Sequence, residues 1–324
     1  MASTRHAVVV GAGIVGICTA VELRRLGLRV TVLDRLEPGQ GCSFGNAGIL
    51  AAHAVVPIGL PGAGRQLPRM LFDAENPLAL RWGSLPRTLP WLARMRREST
   101  PARVHEIADA MKALSRNTLE LHQALAQEAG VPELIRPTPG LYVHRDAAGI
   151  DLEHGLAWRL RRERGAHVEV LEGAALREAE PALSAEHTRG VRMGPMGCTV
   201  NPLRLVQAYA ALLVRMGGQV QRASASHLQP QTPGAGHGDG LTVHTSAGPV
   251  QADVAVVAAG AWSAELLKPL GLSLPLIAER GYHVTFADPG LQLPMPVHVS
   301  DAKVFVTPRE MGVRVAGQAA FAGI

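Results

Sequence analysis

Apolar residues near the start of the chain follow two different periods in close succession. The run Val8–Val10 is typical of a strand that is buried on both faces of a parallel sheet. Apolar residues then recur with helical spacing over Ile14–Leu26, and Gly27 is a natural end for that helix. A second strand is predicted over Arg29–Leu33. The pattern therefore predicts a β-α-β unit.

The turn between the first strand and the helix has the pattern G-x-G-x-x-G. Its glycines and the first two helical residues are Gly11, Gly13, Gly16, Ile14 and Val15. The first glycine permits a tight turn, the second lets a pyrophosphate approach the backbone, and the third lets the helix pack against the strand. The first helical N–H groups would face the phosphates. Asp34, at the end of the second strand, is placed to accept hydrogen bonds from a ribose. These features predict dinucleotide binding; the alternative is a structural β-α-β unit with chance glycines.

Several later segments have clear signals of their own. The apolar run Val254–Ala259 precedes Gly260 and Trp262 and predicts a second parallel strand that ends near the same phosphates. Helices are predicted over Pro101–Gly130 and, after Asn201-Pro202, over Leu203–Met216. Alternating segments near the end of the chain, at 281–284, 304–308 and 312–317, predict an antiparallel sheet.

Composition narrows the class of protein. A chain of 324 residues, with 47% hydrophobic and 18% charged residues, is long enough for two globular domains. The net charge of +5 suits anionic small molecules or a membrane surface as partners. Aromatic residues make up only 4% of the chain and are not interleaved with a Lys/Arg cluster, so the sequence gives no indication of nucleic-acid binding. No apolar run is long enough to predict a transmembrane helix. The cysteines lack paired or metal-ligand spacing, so we expect no metal site and a reducing cytoplasm.

The loop Gly41–Gly48 contains the literal pattern G-x-S-x-G around Ser43. A hydrolase nucleophile elbow needs a strand directly before the serine and a helix directly after it. Here a Pro-Gly turn precedes the loop and Asn46-Ala47-Gly48 follows. We therefore predict a loop of small residues whose backbone lies against a cofactor.

These segments together resemble the D-amino acid oxidase (DAO) superfamily of flavoproteins, and most of all its bacterial D-amino acid dehydrogenase branch. The resemblance implies that the glycines hold the pyrophosphate of FAD and that Asp34 holds the adenosine ribose. It extends cofactor binding to Arg35, Ser43, Asn46, Ala47, Gly48, Gly260 and Trp262. Two distant segments would then build one nucleotide site, which favours FAD over NAD.

The implied fold is α/β, with a discontinuous Rossmann-like FAD-binding domain and a second, antiparallel-sheet substrate domain. We place the FAD-binding domain at residues 1–52 and 198–270, and the substrate domain at residues 53–197 and 271–324. The implied reaction is oxidation of a D-amino acid, or of a related secondary amine, to the imine and then the keto acid. A hydride would pass from the substrate Cα to flavin N5, and the partner of the protein would be a small-molecule amino acid.

Four residues are candidates for contact with the substrate. His53 follows the loop, and its alternative is an ordinary structural histidine. Tyr282 and His283 would point to opposite faces of a strand, and Tyr282 is preferred. Arg314 is placed to pair with a carboxylate, although an exposed ion pair is the favoured alternative.

The stretch from residue 61 to 104 is rich in proline and contains eight arginines. Within it, Pro77–Trp82 and Leu89–Leu92 also resemble the dehydrogenase branch. A cover over the substrate pocket and a peripheral contact with the inner membrane face, where a quinone takes the electrons, are two interpretations. A solvated basic face is the third, and it is favoured over membrane contact because no long amphipathic stripe is visible.

Two departures from the family affect this interpretation. The family commonly has a glutamate near Ala320, where this chain has Gly317–Phe321. Family members also continue for several dozen residues, which supply a substrate-binding arginine and a helix end that faces the flavin. The alternative function is therefore a non-catalytic or impaired FAD-binding remnant that lacks this C-terminal segment.

Overall fold

The computed structural model of the chain describes residues 4–62, 78–80, 85–231 and 240–321. The helices, numbered in chain order, are α1 (Ile14–Arg25), α2 (Cys42–Gly45), α3 (Leu85–Glu98), α4 (Pro101–Ser115), α5 (Thr118–Ala129), α6 (Leu156–Glu163), α7 (Gly173–Ala179), α8 (Pro202–Arg215) and α9 (Ser263–Leu267). The strands are β1 (His6–Val10), β2 (Arg29–Asp34), β3 (Ile49–Leu50), β4 (Leu78–Leu80), β5 (Ile135–Pro137), β6 (Gly140–Val143), β7 (His167–Glu172), β8 (Arg189–Gly194), β9 (Gly197–Thr199), β10 (Gln219–Arg222), β11 (Ala225–Pro230), β12 (Leu241–Thr245), β13 (Gly248–Ala252), β14 (Val254–Val257), β15 (Arg280–Phe286), β16 (Val297–Val299), β17 (Val304–Arg309) and β18 (Gly312–Phe321).

A parallel sheet with the strand order β10-β2-β1-β14 contains the N-terminal β-α-β unit. Ala7 and Val9 of β1 face α1 and α8, whereas Val8 and Val10 face the small antiparallel sheet β11-β12-β13. Because both faces are covered, every residue of β1 is buried. This burial explains the continuous apolar run at the start of the chain.

The predicted second parallel strand is present as β14, which pairs in parallel with β1. It lies at the edge of the sheet, and Val254–Val257 are only half-buried. The apolar run therefore indicated the pairing correctly, but it did not distinguish a central strand from an edge strand.

A mostly antiparallel sheet has the order β15-β18-β17-β16-β6-β8-β7, and β4 pairs with β18. Its register places Tyr142, His298, Phe305, Ala316 and His283 opposite one another on successive strands. Directly opposed residues lie on the same face of a sheet. These five residues therefore form a continuous row across one face.

One predicted helix is divided. The predicted helix Pro101–Gly130 is α4 followed by α5, with a break after Ser115. The hydroxyl of Ser115 donates to the Ala52 carbonyl (3.2 Å), and that of Thr118 donates to the Ser115 carbonyl (2.8 Å). Such side-chain hydrogen bonds compete with the helical pattern. The prediction for α8 is confirmed, because the Asn201 side chain accepts from a backbone N–H in the first turn.

The predicted domain boundaries stay a prediction. The parallel sheet takes its strands from residues 1–52 and 198–270, and the larger sheet takes its strands from residues 53–197 and 271–324. Within the part of the chain that the structure describes, no helix has the length and apolar character needed to cross a membrane. The family-like segment Pro77–Trp82 lies outside the described residues except for β4.

Candidate functional site

A cavity of about 520 Å³ opens at the carboxyl edge of the parallel sheet. The predicted cofactor residues that line it are Gly11, Gly13, Ile14, Val15, Asp34, Arg35, Ser43, Asn46, Gly260 and Trp262. They come from the turn before α1, the end of β2, the loop Gly41–Gly48 and the segment after β14. The segments predicted from the sequence to bind the cofactor therefore line the same cavity.

The three glycines of the turn have different surroundings. Gly11 has a φ of +116°, which disfavours any L side chain, and a Cβ there would overlap the carbonyl of Ala258. A Cβ at Gly16 would overlap the carbonyl of Gly11, so close packing of helix on strand requires this glycine. At Gly13 the nearest atom to a Cβ would be the Ser43 hydroxyl at 3.3 Å. Gly13 therefore lines the cavity, and the Ser43 hydroxyl is the one atom close to a Cβ there.

The start of α1 offers backbone donors to that space. Its N–H at Ile14 donates to the hydroxyl of Ser43 (3.0 Å), and the preceding N–H at Ala12 donates to Asp34 (2.7 Å). Among the described residues, the N–H groups of Gly13 and Val15 have no hydrogen-bond acceptor. Free N–H groups and the positive end of a helix dipole favour an anion, and phosphate is the usual one.

The end of β2 contributes an acid and a stacked cation to the cavity. Asp34 accepts from Ala12 through one oxygen and from the N–H of Leu36 (2.9 Å) through the other. These two bonds fix the carboxylate at the end of β2. Arg35 lies over the ring of Trp262, with its guanidinium carbon 4.2 Å from the ring centroid. This contact joins the two segments that are distant in sequence.

Residues 41–48, called here the cofactor loop, were predicted to be irregular but include the single helical turn α2, and the segment is held in shape by its own side chains. Asn46 accepts from the N–H of Gly48 (2.8 Å) and donates to the carbonyl of Ser43 (3.3 Å). Gly48 has a φ of +60°, and a Cβ there would overlap the guanidinium of Arg309. Ala47 is half-buried beside it and does not line the cavity, nor does Gly48.

Two arginines of the large sheet, Arg309 and Arg314, donate hydrogen bonds to backbone carbonyls of the cofactor loop. Arg314 donates to the carbonyls of Phe44 (2.8 Å) and Asn46 (3.3 Å), and Arg309 donates to Asn46 (3.1 Å) and to Thr199. Both side chains are buried, with 2% and 7% of their surface exposed. An exposed ion pair was the favoured alternative for Arg314, and this is wrong: the strand register turns it inward, and no described carboxylate lies within 4 Å.

The electrostatics of this pair follow from its burial. Burial lowers the pKa of Arg314, and burial together with the neighbouring Arg314 charge lowers the pKa of Arg309 to about 10. Both groups therefore carry their charge at neutral pH. The Nε atom of Arg309 has no hydrogen-bond partner among the described residues. The face beneath the cofactor loop is thus strongly positive.

The two aromatic candidates on β15 have different positions. His283 is half-buried, and its ring lies 5.9 Å from that of Phe44 in an edge-to-face contact. Burial, with a smaller contribution from Arg314 and Arg309, lowers the pKa of His283, so the ring is neutral at physiological pH. Tyr282 is 48% exposed. The geometry therefore favours His283 over the preferred Tyr282 as a neighbour of the cofactor loop.

His53 lies away from this group. It is 3% exposed, and its Nδ1 lies 3.5 Å from the Nζ of Lys112 on α4. Burial and then the charge of Lys112 lower its pKa. His53 does not line the cavity, and its Nε2 has no partner among the described residues. Its assignment to the substrate stays a prediction.

Sequence reasoning missed part of the cavity wall. Ala223, Ser224, Ala225 and Ser226 follow β10, and Glu265 and Leu266 belong to α9. Ala223–Ser226 could have been predicted, because they form a run of small residues at the carboxyl end of a parallel strand. Arg309 was also missed, since nothing in the local pattern shows that its side chain crosses to the cofactor loop.

The cavity fits FAD. It has free N–H groups at a helix start, a glycine that lines the space and a carboxylate held at the end of β2. A family model for FAD dependent oxidoreductases, designated DAO, matches residues 6–323. The chain belongs to this family and is therefore an FAD-dependent oxidoreductase, as the resemblance implied.

Relatives and solved structures agree with this assignment. The chain is 38% identical over 328 residues to a D-amino-acid oxidase of Bradyrhizobium diazoefficiens, a match that covers 100% of this chain and 76% of the relative. It is 30% identical to a D-amino acid dehydrogenase of Dechloromonas aromatica, covering 97% and 77%. The fold resembles the crystal structure of glycine oxidase from Geobacillus kaustophilus, with a TM-score of 0.66, 20% identity, and coverage of 99% and 72%.

Proposed function

We propose that this chain oxidises D-amino acids, or related secondary amines, to imino acids that hydrolyse to keto acids. The observation that carries the proposal is the strongly positive sheet face beneath the cofactor loop, where two arginines are buried and make no ion pair with any described carboxylate. An amino acid presents a carboxylate, which suits such a face. The names of the relatives, D-amino-acid oxidase and D-amino acid dehydrogenase, support the substrate class.

The proposal assigns each group of residues a task. The glycine turn, Ile14, Val15 and Ser43 hold the pyrophosphate of FAD, and Asp34 holds the ribose. Arg309 and Arg314 fix the cofactor loop, and their charge holds the substrate carboxylate near it. His283 remains a neutral neighbour of that loop, while Tyr282 and His53 are secondary candidates. FAD, when bound, supplies the hydride acceptor.

A visible absorption experiment tests the proposal. FAD-loaded protein is mixed without oxygen with a panel of D-amino acids, and with the L enantiomers as the matched control. We expect one or more D-amino acids to bleach the flavin absorption and the L forms to leave it unchanged. Dithionite provides the fully bleached reference. If dithionite alone bleaches the flavin, the alternative of a non-catalytic FAD-binding protein replaces this proposal.

Location and electron acceptor are further parts of the proposal. We place the protein in the cytoplasm, with a peripheral membrane contact at which a quinone takes the electrons; oxygen is the competing acceptor. Exposed Arg94, Arg96 and Arg97 on α3 support a contact with anionic lipid. The protein should sediment with phosphatidylglycerol vesicles at low salt and stay in the supernatant at high salt. Equal retention on neutral vesicles would contradict this mode of contact.

A further inference from the structure

The large sheet has a second row of opposed residues, on the face away from the cofactor loop. The members of this row are all aliphatic and lie on β6, β16, β17, β18 and β15: Leu141, Val297, Val306, Val315 and Val284. At one end, Leu141 and Val297 are buried in a cluster with Leu176 of α7. At the other end, Val284 is 57% exposed. Among the described residues, this apolar face is therefore covered at β6 and open at β15.

Strand β15 presents apolar side chains at alternate positions. Tyr282, Val284 and Phe286 are exposed, whereas Thr285 faces the cofactor loop side and accepts from Arg314 (3.1 Å). β15 is also the last strand of the sheet, and across the described ranges it pairs only with β18. An exposed apolar edge with unpaired backbone N–H and C=O groups can accept a further strand.

The other edge strands of the two larger sheets are less suited to this pairing. β7, at the opposite edge of the same sheet, has Glu169 and Glu172, each in an ion pair with an arginine of β8. β10 is mostly polar, and β14 is half-buried. Charged residues on an edge strand oppose further pairing, and the sequence from Gly281 to Phe286 contains none. β15 is therefore the edge best suited to receive another strand.

Charges of opposite sign flank the apolar part of β15. Arg280 lies four residues before Val284 and Asp288 lies four residues after it, and both are exposed. Within the part of the chain that the structure describes, neither side chain forms an ion pair, and Asp288 accepts from the N–H of Gly290 at 3.4 Å. A second, antiparallel β15 centred on the same valine would therefore set each Arg280 opposite an Asp288.

We propose that β15 pairs with β15 of a second copy of this chain, antiparallel about a two-fold axis at Val284. In this register Tyr282 lies opposite the partner's Phe286, and Arg280 lies opposite the partner's Asp288 on both sides of the axis. Opposed aromatic and oppositely charged side chains stabilise such pairs. The interface uses the same strand of both copies, so the assembly closes as a dimer.

The sequence of β15 favours this register over its neighbours. A shift by one residue would turn the apolar side chains of one copy to the opposite face of the joined sheet. The nearest registers that keep the apolar faces together set Arg280 opposite Phe286 or Gly290, so they lose both charge pairs. The proposal is independent of the substrate, because Arg280, Val284 and Asp288 do not line the cavity.

Charge reversal tests the pairing through the dimer Kd, measured by sedimentation equilibrium of the FAD-loaded protein. Arg280→Asp and Asp288→Arg each set like charges opposite each other at both ends of the strand pair. The double variant restores opposite charges in the reverse order. The matched control is Glu178→Arg, which reverses an exposed acid on α7.

We expect the parent protein to be a dimer and each single reversal to raise the dimer Kd by about tenfold or more, because two attractive contacts become repulsive. The double variant should return to within about threefold of the parent, and Glu178→Arg should stay within about twofold. Recovery in the double variant distinguishes pairing from general damage to the fold.

A disulfide tests the position of the axis. Directly opposed residues of antiparallel strands have Cα atoms about 4.5–5.5 Å apart, which a disulfide can span. Val284→Cys should therefore give a covalent dimer under mild oxidation, with peptide mapping showing the link between the two copies of position 284. Val170→Cys is the matched control, because Val170 is an exposed valine on the opposite edge strand β7.

Four results would overturn the pairing: a monomeric parent protein at about 100 µM, a dimer Kd unchanged by both reversals, no recovery in the double variant, or equal cross-linking of Val170→Cys. A monomer that sediments with phosphatidylcholine vesicles, and no longer does so as Val284→Asp, would show that this apolar face contacts lipid instead. Dimerisation with no flavin bleaching by amino acids refutes the proposed function and leaves the interface.

Discussion

Substitution of Gly13 by alanine should separate cofactor binding from folding. Gly13 has φ −72° and ψ 177°, which an alanine adopts without strain, and its Cβ would meet only the Ser43 hydroxyl at 3.3 Å. Loss of a favourable N-cap costs about 0.5–1 kcal/mol, and the reduced chain entropy of alanine offsets a similar amount. We therefore expect the free energy of unfolding of the FAD-free variant to lie within about 1 kcal/mol of that of the FAD-free parent protein.

The same methyl group would occupy the cavity where the pyrophosphate approaches the backbone. Loss of one charge-assisted hydrogen bond between a backbone N–H and a phosphate costs about 1.5–3 kcal/mol. The Kd for FAD should therefore rise by roughly 10- to 100-fold. Quenching of flavin fluorescence gives the Kd, and urea unfolding of the FAD-free protein gives the stability.

Gly16→Ala provides the matched comparison, because its Cβ would overlap the carbonyl of Gly11 inside the folded chain. We expect that variant to lose folding as well as cofactor binding. Parent-like FAD affinity in Gly13→Ala would refute the assignment of the glycine cradle. Equal destabilisation in both variants would show instead that the open space at Gly13 is needed for folding.

Three further outcomes follow from the structure. FAD should protect Cys42 from alkylation by iodoacetamide, because Cys42 is exposed and lines the cavity. The other two cysteines should react little, since burial raises the pKa of Cys18 to about 12 and Cys198 is buried. Equal labelling of Cys42 with and without FAD would contradict the position of the cofactor. Burial lowers the pKa of His298 from its ordinary value of 6.5 to about 4 in the folded protein. Its contribution to stability is therefore complete above pH 6.5 and is lost as the pH falls toward 4. The loss is about 3 kcal/mol. The free energy of unfolding of His298→Gln, measured in urea, should therefore change less between pH 6.5 and pH 4 than that of the parent protein. Parallel pH profiles for the two proteins would refute the assignment to His298. Arg314→Met should lower the free energy of unfolding by about 1–3 kcal/mol and weaken FAD binding, because the carbonyls of the cofactor loop lose their donor. A variant with parent-like stability and FAD affinity would show that the cofactor loop keeps its conformation without Arg314.

Local patterns were sufficient to predict the N-terminal part of the cavity wall. The glycine turn, α1 and Asp34 lie within one contiguous β-α-β unit, so their relative positions follow from strand and helix geometry. The packing of Gly16 against Gly11 and the positive φ of Gly11 agree with the roles expected from the pattern. The family and its FAD requirement followed from the same residues, together with the loop of small residues and the strand after Ala252.

The substrate side depended on contacts between distant residues. The guanidinium of Arg314 bonds to the carbonyl of Phe44, 270 positions earlier, and only the register of β15, β17 and β18 shows that this side chain points inward. Arg161 reaches Tyr142 from a helix on another segment, which no local period shows. The sequence by itself determined the fold class, the family and the cofactor, because these depend on neighbouring residues. The tertiary structure alone decided which charges are buried beneath the cofactor loop, because burial depends on the elements that the fold packs around them.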